Sequence, residues 1–142
     1  MTFGIVESDE PLLAELIAIA FESTGHDCLV FRDLDQAARI LDALYLDALV
    51  LDLHVSQRSG LDWLETVVAT RPDLPARTLL LTPAVTTPEE TARIAALGVE
   101  VAPRPVSVLH VEQVVMGRLQ RAGALPRDRR SRSRESRLES RN

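Results

Sequence analysis

Three short runs without a charged residue, Phe3-Gly4-Ile5-Val6, Ala48-Leu49-Val50-Leu51 and Thr78-Leu79-Leu80-Leu81, recur along the chain, each followed by a stretch of helical period. A strand that is apolar at every position has no face to offer to water. Such strands belong to a parallel sheet covered by helices on both sides. Leu29-Val30-Phe31 adds a further strand, and Val99–Ala102 a weaker fifth.

The intervening stretches read as helices. Leu12, Leu13, Leu16, Ile17 and Ala20 share one predicted face, with Pro11 in the first turn and Gly25 at the exit. A second helix is predicted from Leu34 to Leu46, turning Leu34, Ala37, Ala38, Leu41 and Leu44 inward. A third starts near Gly60 and carries Leu61, Leu64, Val67 and Val68. Thr87-Pro88-Glu89-Glu90 has Thr at the cap, Pro at the first helical position and Glu reaching back, so it opens a fourth helix that Gly98 ends. A fifth runs from Ser107 to Arg121. Five β/α units with right-handed crossovers predict an α/β fold with a doubly wound five-stranded parallel sheet. Ligands of such sheets bind at the carboxyl ends of the strands, where the strand order reverses.

Charge divides the chain in two. Residues 1–123 hold 18 acidic and 9 basic residues, whereas 124–142 hold 3 acidic residues and 7 Arg. The first part is expected to be one domain, and its acidity argues against nucleic acid as a partner. The second is an Arg- and Ser-rich tail with almost nothing apolar to bury, and is expected to be disordered. Cys28 is the sole cysteine, so it has no disulfide partner within the chain and is expected to fill core space. No apolar run approaches the roughly 18 residues that span a bilayer, and Met1-Thr2-Phe3-Gly4 does not open a secretion signal. No membrane partner is expected, and the expected compartment is the cytoplasm.

The strand ends concentrate the chemistry. The first is followed by Glu7, Ser8, Asp9 and Glu10, the third ends in Asp52, the fourth in Thr82, and the fifth is followed by Arg104 and Pro105. Converging carboxylates make a hard oxygen site suited to Mg²⁺, and a hydroxyl with a cation beside them suits a phosphoryl group on Asp52. His26, His54 and His110 lack any spacing for metal ligation or a triad and are expected at the surface; Trp63 and Tyr45 are expected at helix edges. Ser8 has no base beside it to make it a nucleophile.

Residues 2 to about 122 resemble the receiver domain of two-component response regulators, a flavodoxin-like fold. The resemblance rests on Val6-Glu7-Ser8 at the family's acidic pair and on Asp52-Leu53-His54 at its phosphoacceptor. Gly60 lies eight residues beyond Asp52, Thr82 thirty beyond, and Arg104-Pro105 stands at the family's Lys-Pro, fifty-two beyond. The resemblance implies that Asp52 accepts a phosphoryl group from a sensor histidine kinase or phosphotransfer protein. It further implies Mg²⁺ held by Asp52, by Glu7 through water and by the His54 backbone carbonyl, with Thr82 and Arg104 on the phosphoryl oxygens. Beyond self-phosphorylation and autodephosphorylation at Asp52, it implies no enzyme. A downstream protein is then expected on the fourth helix, fifth strand and fifth helix.

The chain also departs from the pattern. Ser8 replaces the second acid, leaving Asp9 as a substitute ligand, and Arg104 replaces the lysine, either as a phosphate ligand or as a counter-ion built in beside Asp52 or Glu7. The loop Val55-Ser56-Gln57-Arg58-Ser59-Gly60 lacks the usual Pro and acid. Pro83 follows Thr82, and Val101 occupies the place of the switch aromatic. Two signalling readings stay open at this point: a phosphoacceptor, or a pseudo-receiver that binds a partner without phosphate. A small metal-dependent phosphatase or a ligand-binding flavodoxin-like domain is the alternative from another class. Asp52-Leu53-His54 also matches the start of a cobalamin motif, but Gln57 stands where that motif needs glycine.

Since a neutral hydroxyl is a poor ligand for a hard dication, Ser8→Asp is expected to tighten Mg²⁺ binding. Calorimetry on the two proteins checks this; wild-type affinity equal to the variant's would mean that another group already completes the site.

Overall fold

The computed structural model describes residues 1–7 and 9–121; Ser8 and residues 122–142, with the whole predicted tail, lie outside the described residues. Among the described residues, seven strands and five α-helices follow one another: β1 (Thr2–Val6), α1 (Pro11–Glu22), β2 (Asp27–Phe31), α2 (Leu34–Ala43), β3 (Ala48–Asp52), β4 (His54–Val55), β5 (Arg58–Ser59), α3 (Gly60–Val67), β6 (Thr78–Thr82), α4 (Pro88–Leu97), β7 (Glu100–Pro103) and α5 (Val108–Arg121), with a short 3-10 turn at Pro75–Arg77 before β6. The main sheet has the order β2-β1-β3-β6-β7 and is parallel throughout, so the expected doubly wound five-stranded sheet is the architecture found. The strand order reverses between β1 and β3, which opens the crevice at their carboxyl ends.

The continuous apolarity of β3 has a direct cause. Leu49 and Leu51 enter a core with Leu34, Leu41, Leu64, Leu80 and Ile94, under α2, α3 and α4. Ala48 and Val50 enter the opposite core with Phe3, Ile5, Ile17, Phe21, Val111 and Leu119, under α1 and α5. Alternate residues of one strand thus serve two cores.

The register also prepares the site. Val6 pairs with Leu51, so Glu7 comes abreast of Asp52, and Asp52 itself pairs with Leu81, one residue before Thr82. Ile5 and Val50 share a face of the sheet, and period-two alternation sends Glu7 and Asp52 to that same face.

Helix starts agree with their chemistry. Asp33 accepts the Gln36 N–H, Ser59 accepts the Asp62 N–H, and Thr87 and Glu90 form a reciprocal capping box before α4, which Gly98 closes in the left-handed conformation.

Several expectations need correction. In α1 the fully buried residues are Ala14, Ile17, Ala18 and Phe21, while Leu12 and Leu16 are 67% and 45% exposed. That helix is apolar nearly all round, so its periodicity leaves the phase open; Phe21, edge-on to Phe3 at 4.6 Å, is part of the packing that sets it. α2 ends at Ala43 rather than Leu46. Leu44 is extended and 39% exposed, and the buried residue is Leu46, on the approach to β3. His26 is half-buried against the Phe3 ring rather than at the surface. Cys28 is half-buried against the α1/α5 core. Tyr45 is exposed, with Arg77 stacked over its ring at 4.7 Å, and Trp63 packs on the α2/α3/α4 core.

The loop after Asp52 is a hairpin. β4 and β5 pair antiparallel across Ser56 and Gln57, which both take positive φ, 49° and 65°. Two-residue hairpin turns demand this backbone and usually recruit Asn-Gly for it, so Ser-Gln gives no sequence signal. Gly60 ends the hairpin and starts α3. A Cβ on Gly60 would lie 2.2 Å from the backbone oxygen of Asp52.

Gly60→Ala is therefore expected to destabilise the fold by about 1–3 kcal/mol through forced movement at the Asp52 backbone. Gly117→Ala, within α5 and with only the Arg121 side chain at 3.5 Å, is expected to stabilise it by about 0.5–1 kcal/mol. Urea denaturation of both variants checks the contrast.

Candidate functional site

Glu7 and Asp52 are buried acids at the ends of adjacent strands, and burial alone raises the free energy of two such carboxylates. Arg104 balances them. Its Nη2 donates to Asp52 Oδ2 at 2.6 Å and to Glu7 Oε1 at 3.1 Å, while Nη1 pairs with Glu10. The other oxygens are engaged as well. Glu7 Oε2 accepts the backbone N–H groups of Asp9 (2.7 Å) and Glu10 (2.8 Å), and Asp52 Oδ1 accepts that of His54 (3.3 Å). The Arg104 backbone is anchored in turn, its N–H donating to the Thr82 carbonyl at 2.9 Å.

Glu7 and Asp52 are close enough to shift each other's titration, and they shift in opposite directions. Burial, the hydrogen bond to Glu7 and the Glu7 charge push Asp52 up to about 7, against the opposing pull of Arg104 and the His54 N–H. Glu7 goes the other way: burial pushes it up, but its bonds to Asp52, to the Glu10 N–H, to Arg104 and to the Asp9 N–H hold it below its ordinary value.

Of the residues singled out in the sequence, Glu7, Asp52 and Arg104 meet directly. Thr82 is buried at the end of β6 and touches the group through its backbone carbonyl. His54 and Asp9 reach it through backbone N–H groups, their side chains being on the exposed surface. Ser8 lies outside the described residues. Glu10 is the participant that sequence reasoning passed over as a ligand; its only signal was its place in Glu7-Ser8-Asp9-Glu10.

The Mg²⁺ implied by the resemblance does not fit this arrangement. Mg²⁺ takes near-octahedral oxygens at about 2.0–2.1 Å, whereas here Glu7 Oε2 already accepts two N–H groups and Arg104 Nη2 sits between Glu7 Oε1 and Asp52 Oδ2, where a bridging cation would lie. Among the described residues no group of three or more His, Cys, Asp or Glu side chains is arranged to hold a metal.

Beside the acids a groove of about 470 Å³ is lined by Pro11, Leu12, Leu16, Arg104, Pro105 and Val106. No helix among the described residues is long and apolar enough to cross a membrane.

Solved structures similar to this chain are receivers. The receiver domain of the Francisella response regulator 1452 is 20% identical, with a TM-score of 0.72 over 85% of this chain and 98% of that one. A CheY-like receiver domain protein from Methanospirillum hungatei JF-1 is 16% identical, with a TM-score of 0.73 over 84% and 94%. This chain has the receiver fold. No family model matches it. In sequence, the chain is similar to the probable transcriptional regulatory protein TcrX of Mycobacterium tuberculosis, 30% identical over 119 residues, or 84% of this chain and 50% of that protein. The chain thus spans about half the length of this curated relative. The β3–β6–β7 side of the receiver fold carries Asp52, Thr82 and Arg104 at its strand ends, in the order the sequence resemblance implies.

The raised Asp52 sets a pH dependence. A proton bound more tightly in the folded state stabilises it most below the unfolded value of 3.8, and that stabilisation is lost as pH rises through about 7. Relative to Asp52→Asn, the wild type is expected to lose up to about 4 kcal/mol of stability between pH 4 and pH 8. Urea melts of both proteins across that range check it; parallel profiles would show that Asp52 is an ordinary carboxylate.

Proposed function

We propose that the chain is a signalling receiver whose phosphoacceptor is Asp52. The observation that carries this reading is the pairing of a buried Asp at the end of the central strand with Arg104 at 2.6 Å, in a crevice at the topological switch. In the step proposed, Asp52, ionised once its proton has passed to solvent, attacks the phosphorus of a phosphohistidine through one carboxylate oxygen, the P–N bond breaks, and the imidazole leaves with its electron pair and takes up a proton. Glu7 stays beside it as a carboxylate, its Oε2 held by the backbone N–H groups of Asp9 and Glu10. Arg104 moves from the carboxylate to the new phosphoryl oxygens, which it can grip with two parallel N–H groups. The Thr82 hydroxyl is the remaining donor at the strand ends.

The partner is a sensor histidine kinase or a phosphotransfer protein. The apolar groove of Leu12, Leu16, Pro105 and Val106 beside Arg104 supports docking of such a phosphodonor within reach of Asp52. Turnover of an external substrate is not part of this reading, which sets it apart from a small phosphatase or a ligand-binding flavodoxin-like domain. A cytoplasmic setting belongs to the same proposal.

One observation favours a second reading, in which partner binding is constitutive. Val101, where the family has its switch aromatic, is aliphatic and 37% exposed on β7. A small side chain already at the surface has little rearrangement to offer, and a ligand shifts an equilibrium only through differential affinity for two states. The downstream partner would then meet α4, β7 and α5 in one fixed form.

Acetyl phosphate or a phosphorylated kinase is expected to add a single phosphoryl group, seen by intact mass and absent in Asp52→Asn. Amide NMR with beryllofluoride separates the two readings. Broad, saturable shifts over α4, β7 and α5 that vanish in Asp52→Asn mark a phosphorylation switch, whereas shifts confined to the strand ends mark the constitutive form. Steady hydrolysis of small phosphoesters would overturn both.

A further inference from the structure

We propose that the Arg104 guanidinium occupies the place of the divalent cation in this pocket, so that metal can bind only when Arg104 has left it. The inference concerns the same crevice but stands on side-chain contacts alone, so a failure to phosphorylate Asp52 leaves it untouched.

Four features carry it. First, one guanidinium reaches three carboxylates: Nη2 lies between Asp52 Oδ2 and Glu7 Oε1, and Nη1 engages Glu10. A bridging cation of this kind supplies the charge compensation that a dication would supply. Secondly, Glu7 Oε2, the Glu7 oxygen that Arg104 leaves free, accepts two backbone N–H groups, which engages both its lone pairs. Thirdly, the fork is anchored at its root, because the Arg104 N–H donates to the Thr82 carbonyl at the adjoining strand end. Fourthly, the planar fork suits this task better than an ammonium, which is a compact point charge and bridges three acids less well. Glu10, exposed at the rim, thereby acquires a role as the outer anchor of the fork rather than as a metal ligand.

The consequence is competition. Two cations a few ångström apart in a partly buried site repel strongly, so removing one should favour the other by at least about tenfold. Calorimetric titration of the full chain with MgCl₂ tests this on the wild type, Arg104→Lys and Arg104→Met, with amide NMR spectra verifying each fold. The expected result is no saturable binding by the wild type at millimolar Mg²⁺, measurable binding by Arg104→Lys, and binding by Arg104→Met at least about tenfold tighter than any wild-type affinity. Arg104→Met leaves two buried acids without their cation, and if it fails to fold, Arg104→Lys decides alone, because its ammonium keeps the fold's charge balance but bridges the acids less well than the guanidinium fork. Wild-type affinity equal to or tighter than that of the folded variants would overturn the proposal. So would the absence of Mg²⁺ binding in every variant, since release of the fork would then have opened no metal position.

Discussion

The site depends on one charge balance: two carboxylates buried at the ends of β1 and β3, and one guanidinium that reaches both. Neither Glu7 nor Asp52 could remain in that position alone, because an uncompensated buried charge costs several kcal/mol or takes up a proton. The structure uses both remedies. Arg104 supplies the cation, and burial with the neighbouring Glu7 pushes Asp52 up to about 7, so that it takes up a proton more readily than a free carboxylate. The parallel register makes this necessary, since it brings the residue after Val6 abreast of the residue after Leu51.

The same use of the guanidinium recurs away from the site. Arg71 donates to the Leu41 carbonyl at 2.7 Å and to Asp42, Arg77 to the Leu46 carbonyl at 3.2 Å and to Asp73, and Arg118 to the carbonyls of Gly98, Pro75 and Ala76. Arg93 joins α4 to α3 through Asp62 and Glu65. All 16 basic residues of the chain are arginine. Whatever the genomic reason, the physical result is that loop carbonyls and interhelical acids are held by planar, multi-donor forks. At Arg104 this habit meets the functional crevice, and a residue that the family resemblance reads as a phosphate ligand also serves as a structural cation.

The hairpin after Asp52 shows the limit of pattern reading. Ser56 and Gln57 carry none of the Gly or Asn chemistry that announces a two-residue turn, yet both take the backbone it requires. The Ser56 hydroxyl donates to the Arg32 carbonyl and Arg58 pairs with Asp35, so contacts to the start of α2 hold the turn where local propensity does not. The phase of α1 is a similar case. Leu12, Leu16 and Ile19 are as apolar as Ile17 and Phe21, and only packing against Phe3 and α5 distinguishes them.

The sequence by itself determined the five β/α units, the doubly wound sheet and the strand ends at which Glu7, Asp52, Thr82 and Arg104 would gather. Strands buried on both faces must be apolar throughout, and crossover handedness leaves few topologies, so these were legible from runs and spacing. Tertiary structure alone decided which side of α1 is inside, where α2 stops, and that the Arg104 fork reaches Glu10 as well as both buried acids. Those outcomes depend on distances between residues up to 97 positions apart. Periodicity records which residues are apolar or charged, but the direction of a long, flexible side chain is chosen by its neighbours in space.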